Sequence, residues 1–194
     1  MRILMISRVL RDGEAVSEYL KSLSDHLTDS GDDVYMTASD DGSDFTVSEE
    51  VDVRRTNVKF EAENIYDWAM IMNNEIKRVS RELFQDQGFD VIHANDWCSV
   101  PAGITISSHL DVPLVVTVHS TENERGFQGE HSAVISDMEW RGGYEADRII
   151  ALNDDTKNSL VFDLDVPDGK INVIDAFSSS WREDTREVFT EVVE

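Results

Sequence analysis

A chain of 194 residues, 40% of them apolar, is long enough for one α/β domain with a continuous core and too short for two. Forty acidic residues against 17 lysines and arginines leave a net charge of −23, a field that repels phosphate backbones and anionic lipid and so disfavours nucleic acid and membrane surfaces as partners. No apolar run of about 18 residues could span a membrane, Arg8 and Arg11 interrupt any signal-peptide core, and Cys98 stands alone, which excludes an internal disulfide and suits a reducing cytoplasm.

The residues from Arg2 to Ile6 read as a first buried strand, followed by a polar loop from Ser7 to Gly13. Ala15, Val16, Tyr19, Leu20, Leu23 and Leu27 recur at helical spacing, and Gly31 closes that helix. Val34 to Ala38 reads as a strand, Ser39 to Ser43 as a loop, and Thr46 to Val58 as a strand pair or an irregular excursion. Ile65, Trp68, Met72, Ile76, Val79 and Leu83 step along a long helix that ends near Gly88. Phe89 to His93 is the next strand, Pro101 to His109 a short helix, and Leu114 to Val118 a β-branched run of the kind a strand covered on both faces needs. Val134 to Tyr144 is helical, Arg148 to Leu152 a strand, Asp154 to Phe162 a helix and Ile171 to Ile174 a last strand. Alternating strands and helices predict an α/β fold, a Rossmann-like parallel sheet with helices on both faces, over residues 1–175. Residues 176–194 form a C-terminal tail, read as a terminal helix packed on the domain. The acids are spread along the whole chain rather than gathered in one tail, which points to a solvated acidic surface of the halophilic kind; an ordinary acidic mesophilic protein is the alternative.

Ligands of open parallel sheets bind beyond the carboxyl ends of the strands. His93, Asn95, Asp96 and Trp97 fall at one such end, and His119, Ser120, Thr121 and Glu122 at its neighbour. Two of the five histidines thus stand at adjacent strand ends, each followed within three residues by an acid, which makes them a candidate site; the alternative is a pair of half-buried histidines that finish their strands with a hydrogen bond. Other chemistries lack their residues: no G-x-G-x-x-G, no P-loop, no G-x-S-x-G, no H-E-x-x-H and no paired cysteine is present, so neither a bound cofactor nor a metal is expected. Cys98 reads as a small hydrophobe at a helix start.

The segment Asp90-Val91-Ile92-His93-Ala94-Asn95-Asp96-Trp97 resembles the DVIHAHDW stretch of glycogen and starch synthases and of family 4 glycosyltransferases. The stretch from Val112 to Glu122 is similar to their VPLVVTIHATE, the one from Asp137 to Ile150 to their IEW…YEADRVI, and the one from Lys170 to Ile174 to the start of their KIDVIPNGV. The likeness keeps its order from residue 1 to about 175. It implies the N-terminal, acceptor-side domain of the GT-B architecture, in which two Rossmann-like domains face a cleft and transfer a sugar from a nucleotide donor without a metal. It implies further that Asp96 and His119 carry the catalytic role at the cleft, His119 near the transferring carbon, with His93, Asn95, Trp97, Thr121 and Glu122 contacting substrate.

Three departures stand out: the family's Gly-Gly loop is replaced by Ser7 to Glu14 with one glycine, Asn95 stands where a histidine is common, and Asp175-Ala176-Phe177 replaces the Pro-Asn-Gly hinge. Three readings follow. The chain is an enzyme half whose saccharide acceptor side is completed by a separate donor-domain chain or a homo-oligomer, with a nucleotide sugar as donor substrate and no activity alone. It is instead a non-catalytic sugar-binding or scaffold protein on the same fold, or a piece of a longer sequence.

Overall fold

A computed structural model describes residues 1–56 and 62–194. Along the chain come β1 (Arg2–Val9), α1 (Ala15–Asp29), β2 (Asp33–Ser39), β3 (Asp52–Thr56), α2 (Ile65–Gln87), β4 (Val91–Asn95) and α3 (Val100–Leu110). Then follow β5 (Leu114–Val118), α4 (Ser132–Glu145), β6 (Arg148–Ala151), α5 (Asp154–Phe162), a 3-10 turn at Asp168–Lys170, β7 (Ile171–Val173) and α6 (Trp181–Val193). The strands form one sheet in the order β3-β2-β1-β4-β5-β6-β7, and every neighbouring pair is parallel. This is the Rossmann-like α/β fold expected from the alternation of strands and helices. Among the described residues no helix is long and apolar enough to cross a membrane.

Local chemistry explains the element ends. Gly31 takes a φ of 84° after α1, which lets its N–H reach the Thr28 carbonyl (2.9 Å) and the Asp32 N–H reach that of Leu27 (3.0 Å). At the start of α2 the Asn64 side-chain oxygen Oδ1 accepts the Asp67 N–H at 2.9 Å. Two strands differ from the sequence reading. β1 runs on to Val9, which pairs with Ser39 after the register slips beyond Ile6. β4 spans Val91–Asn95, two residues later than expected at both ends; just before it Asp90 donates its N–H to the Arg2 carbonyl at 2.8 Å, while its Oδ2 accepts the Arg2 N–H at 2.8 Å and its Oδ1 the guanidinium at 2.6 Å. From Thr46 the chain is irregular until β3, and residues 57 and 58 of that stretch lie outside the described residues.

Side chains alternate across the sheet and divide the core in two. Leu4, Ile6, Ile92, Ala94, Val116 and Ile149 pack under α2, α3 and α5. Ile3, Met5, Val91, Val115 and Ile150 pack on the other face with Leu20 and Leu23 of α1. Trp181, Val188 and Phe189 of α6 complete that second face, with Phe189 fully buried, so residues 176–194 contribute a core element.

Candidate active site

The winding direction of the sheet reverses between β1 and β4, and a crevice opens beyond the carboxyl ends of those two strands, where such folds take their ligands. Its cavity, about 320 Å³, is lined by Ser7 and Arg8 near the end of β1 and Glu14 beyond it, by Asn95 at the end of β4 and Asp96 and Trp97 beyond it, and by Arg125.

Asn95 ends β4 and is 2% exposed. Its amide nitrogen donates to the Ile6 carbonyl at 3.2 Å, while its side-chain oxygen has no partner among the described residues. A buried acceptor left unpaired is costly, and a ligand hydroxyl or a water would relieve it. Asp96 follows with a φ of 56°, a left-handed conformation that aspartate tolerates better than most residues. Its N–H donates to the Thr117 carbonyl at 2.9 Å, and its carboxylate accepts the His119 N–H at 2.9 Å. Asp96 therefore stitches the loop after β4 to the end of β5. The His119 ring turns toward α1 and meets the Tyr19 ring edge-on at 5.1 Å, with Nε2 buried and unpartnered. The two principal candidates are thus joined through the His119 backbone, and only Asp96 lines the crevice.

The remaining candidates divide. Trp97 lines the crevice while packing with Ala69, Cys98 and Ile135. His93 is not brought to the site: because β4 extends to Asn95, it lies mid-strand under α6, fully buried, with its ring 5.0 Å from that of Phe189. Its Nε2 lies 2.7 Å from the Thr117 hydroxyl, and burial drives its pKa down to about 3, so it stays neutral. Thr121 is fully buried against Ser159, 2.7 Å between hydroxyls, and builds the loop rather than the crevice. Burial pushes the Cys98 thiol up to about 12, which removes it as a nucleophile at neutral pH.

Glu122 belongs to a network that the residue pattern did not expose. It is buried, accepting the Ser132 hydroxyl on Oε1 and the Arg125 guanidinium on Oε2 at 3.0 Å. Glu139 of α4, 4% exposed, accepts the Glu122 N–H on both carboxylate oxygens at 2.9 Å, and Arg125 at 2.9 Å. Burial raises the Glu139 pKa to about 7, against the pull of Arg125. Glu139 lies within the segment that resembles IEW, a signal that could have marked it. On the other wall Arg8 pairs with Glu14, whose second oxygen accepts the Ser17 hydroxyl at 2.6 Å. Glu14 is the N-cap of α1, so the helix end that could have faced an anion already has its own carboxylate beside it. The two guanidinium groups on the crevice are thus already engaged, Arg8 by Glu14 and Arg125 by Glu122 and Glu139, while the Asp96 carboxylate stands beside them, an arrangement that favours a ligand rich in hydroxyl groups over a free phosphate. Among the described residues no group of three or more His, Cys, Asp or Glu is placed to hold a metal ion.

The sequence model described as Glycosyltransferase Family 4 matches residues 16–176. The chain belongs to glycosyltransferase family 4. This family 4 chain is 30% identical over 119 residues to an uncharacterized glycosyltransferase of Methanocaldococcus jannaschii, a match covering 60% of it and 30% of the relative. It is 32% identical over 74 residues to the glycogen synthase of Mycobacterium tuberculosis, covering 36% of this chain and 17% of that enzyme. The matches thus span about a third or less of these curated relatives. Among solved structures, the sucrose-phosphate synthase of Thermosynechococcus elongatus superposes with a TM-score of 0.72 at 16% identity, over 90% of the family 4 chain and 47% of that protein. That likeness shows a shared fold, the Rossmann-like half of a GT-B glycosyltransferase.

Proposed function

We propose that this family 4 domain forms the acceptor wall of a sugar-transfer cleft, binding a saccharide whose hydroxyl is glycosylated, while a separate donor-binding chain holds the nucleotide sugar. The observation that carries this reading is the unpartnered, buried oxygen of Asn95 at the switch-point crevice, beside the Asp96 carboxylate. Both are acceptors suited to sugar hydroxyls. With both guanidinium groups of this wall already paired to carboxylates, little is left there for a nucleotide diphosphate, which favours its placement on the facing chain. Asp96 acts in this reading as an acceptor-orienting group, and His119 as the residue whose backbone N–H holds that carboxylate in place.

Saturation-transfer NMR with a panel of neutral oligosaccharides and nucleotide sugars tests the proposal. Oligosaccharide signals saturate at millimolar concentrations and nucleotide sugars do not, Asn95→Ala abolishes the effect, and the chain alone transfers no sugar because one wall cannot hold both reactants. Failure of every saccharide at about 10 mM, or turnover by a homogeneous monomer, would overturn it. One observation favours the scaffold alternative: an Asp96 oxygen is already committed to the His119 backbone. In that case Asp96→Ala lowers the melt and leaves no binding to lose.

A further inference from the structure

In a chain with 40 carboxylates, basic side chains are neutralised close at hand: Arg2 by Asp90, Arg11 by Asp41, Arg54 by Asp52 and Arg186 by Asp32. Among the described residues Arg55, Arg148 and Lys170 instead donate to backbone carbonyls, and Lys21 and Arg182 lie over aromatic rings, whereas Lys77 and Arg81 of α2 have none of these partners. Among the described residues their neighbour Arg78 takes both nearby acids, Glu75 at 3.0 Å and Glu82 at 2.8 Å, and no carboxylate lies within 4.0 Å of Lys77 or Arg81. The two stand four residues apart on one helix face, a like-charge spacing that weakens a helix. They also lie more than a turn before its end at Gln87, beyond the reach of the favourable terminal dipole.

Both line a groove between α2 and α3 with a volume of about 620 Å³, within the range of small-molecule sites. His109 of α3 faces them across the groove, and Ile106 and Leu110 supply an apolar floor. Glu82 is a carboxylate on the lining, and Arg78 already engages it. The groove therefore joins three nitrogen-bearing side chains to an apolar floor, on a molecule whose overall field repels anions.

We infer that the groove between α2 and α3 binds a small organic phosphate, with the phosphoryl group on Lys77, Arg81 and His109 and the organic body over Leu110. A guanidinium and an ammonium together suit a phosphoryl group, the first by directional paired donors and the second as a point charge. The net charge of −23 disfavours anion binding over most of the surface, and the loss of binding in a groove variant assigns a bound phosphate to this groove. The inference is independent of the acceptor-side reading, since the groove lies between two helices and shares no lining residue with the crevice.

Calorimetry at fixed ionic strength, with inorganic phosphate, ribose 5-phosphate and adenosine monophosphate as probes, tests it. The two organic phosphates saturate one site, more tightly than inorganic phosphate. The double variant Lys77→Gln/Arg81→Gln weakens them by about tenfold or more, with a melt no lower than the parent's, because neither side chain is in the core and a like-charge pair is removed. Arg141→Gln, at an exposed ion pair with Asp137 away from the groove, leaves affinity intact. Leu110→Ser weakens adenosine monophosphate and leaves inorganic phosphate unchanged. No binding of any probe, equal affinity in the double variant, or equal affinity for inorganic phosphate would overturn the inference. So would saturation by oligoglutamate with no response to the phosphates, which would identify an acidic protein partner instead.

Discussion

Replacing Glu139 by glutamine isolates one proton. In the folded chain its carboxyl titrates near 7 against an ordinary value of 4.5, because it is buried between α4 and the loop after β5. A carboxyl whose folded pKa is raised binds its proton more tightly in the native state. Its contribution is therefore complete below pH 4.5 and is lost as pH rises through 7. With about 1.4 kcal/mol per pH unit, the native state forfeits about 2–3 kcal/mol between pH 5 and pH 8 through this group. That window also keeps clear of the isoelectric point near 4.3. Urea melts of parent and Glu139→Gln across the window, at one ionic strength, read the difference directly, since other titrating groups cancel in the subtraction. The parent loses about 2–3 kcal/mol relative to the variant as pH rises. A difference constant to about 0.5 kcal/mol would refute the reasoning and show that Arg125 and the Glu122 N–H hold Glu139 ionised throughout.

Further outcomes follow from the packing and the charge. Phe189→Ala empties a fully buried site beside His93 and costs about 3–5 kcal/mol in a denaturant melt. Asp96→Asn keeps an acceptor for the His119 N–H and tolerates the left-handed backbone, so its melt stays close to the parent, whereas Asp96→Ala loses both and costs about 1–3 kcal/mol. Raising KCl from 0.1 to 1 M shortens the screening length from about 10 to about 3 Å, so the melting temperature rises; a flat or falling trend would refute the proposal of a halophilic surface.

The sheet was legible because its strands announce themselves: Leu114 to Val118 is almost wholly β-branched and is buried on both faces. What misled the reading was the placement of β4 along its apolar run. Phe89 and Asp90 precede the strand, Asp90 being tied to Arg2 through both backbone and side chain, and the strand runs on to Asn95 instead of ending at His93. That extension moves His93 from strand end to core, and no local pattern records it, because the pairing that sets it is with β1, 88 positions away in the chain. The crevice residues Asn95, Asp96 and Trp97 were within reach of sequence, since they follow a recognisable strand. The loop network was not: Glu122, Arg125, Ser132 and Glu139 come from a loop and a helix that meet only after folding. The turn of the His119 ring toward Tyr19 likewise depends on where α1 settles.

The position of α6 bears on the order in which the molecule can be made. It supplies Trp181, Val188 and Phe189 to the face that also holds His93, Val91, Val115 and Ile150 from central strands. Ribosomal synthesis delivers those strands first and the helix after all of them. A nascent chain with seven strands emerged therefore carries an uncovered apolar stripe along β4, β5 and β6 while α6 is still in the exit tunnel. Synthesis at about 5–20 residues per second makes that interval last on the order of a second, long enough for holding chaperones to engage or for neighbouring nascent chains to stick. Slower synthesis between the emergence of β7 and that of α6 should accordingly lower the soluble yield of this domain more than slower synthesis of its first strand.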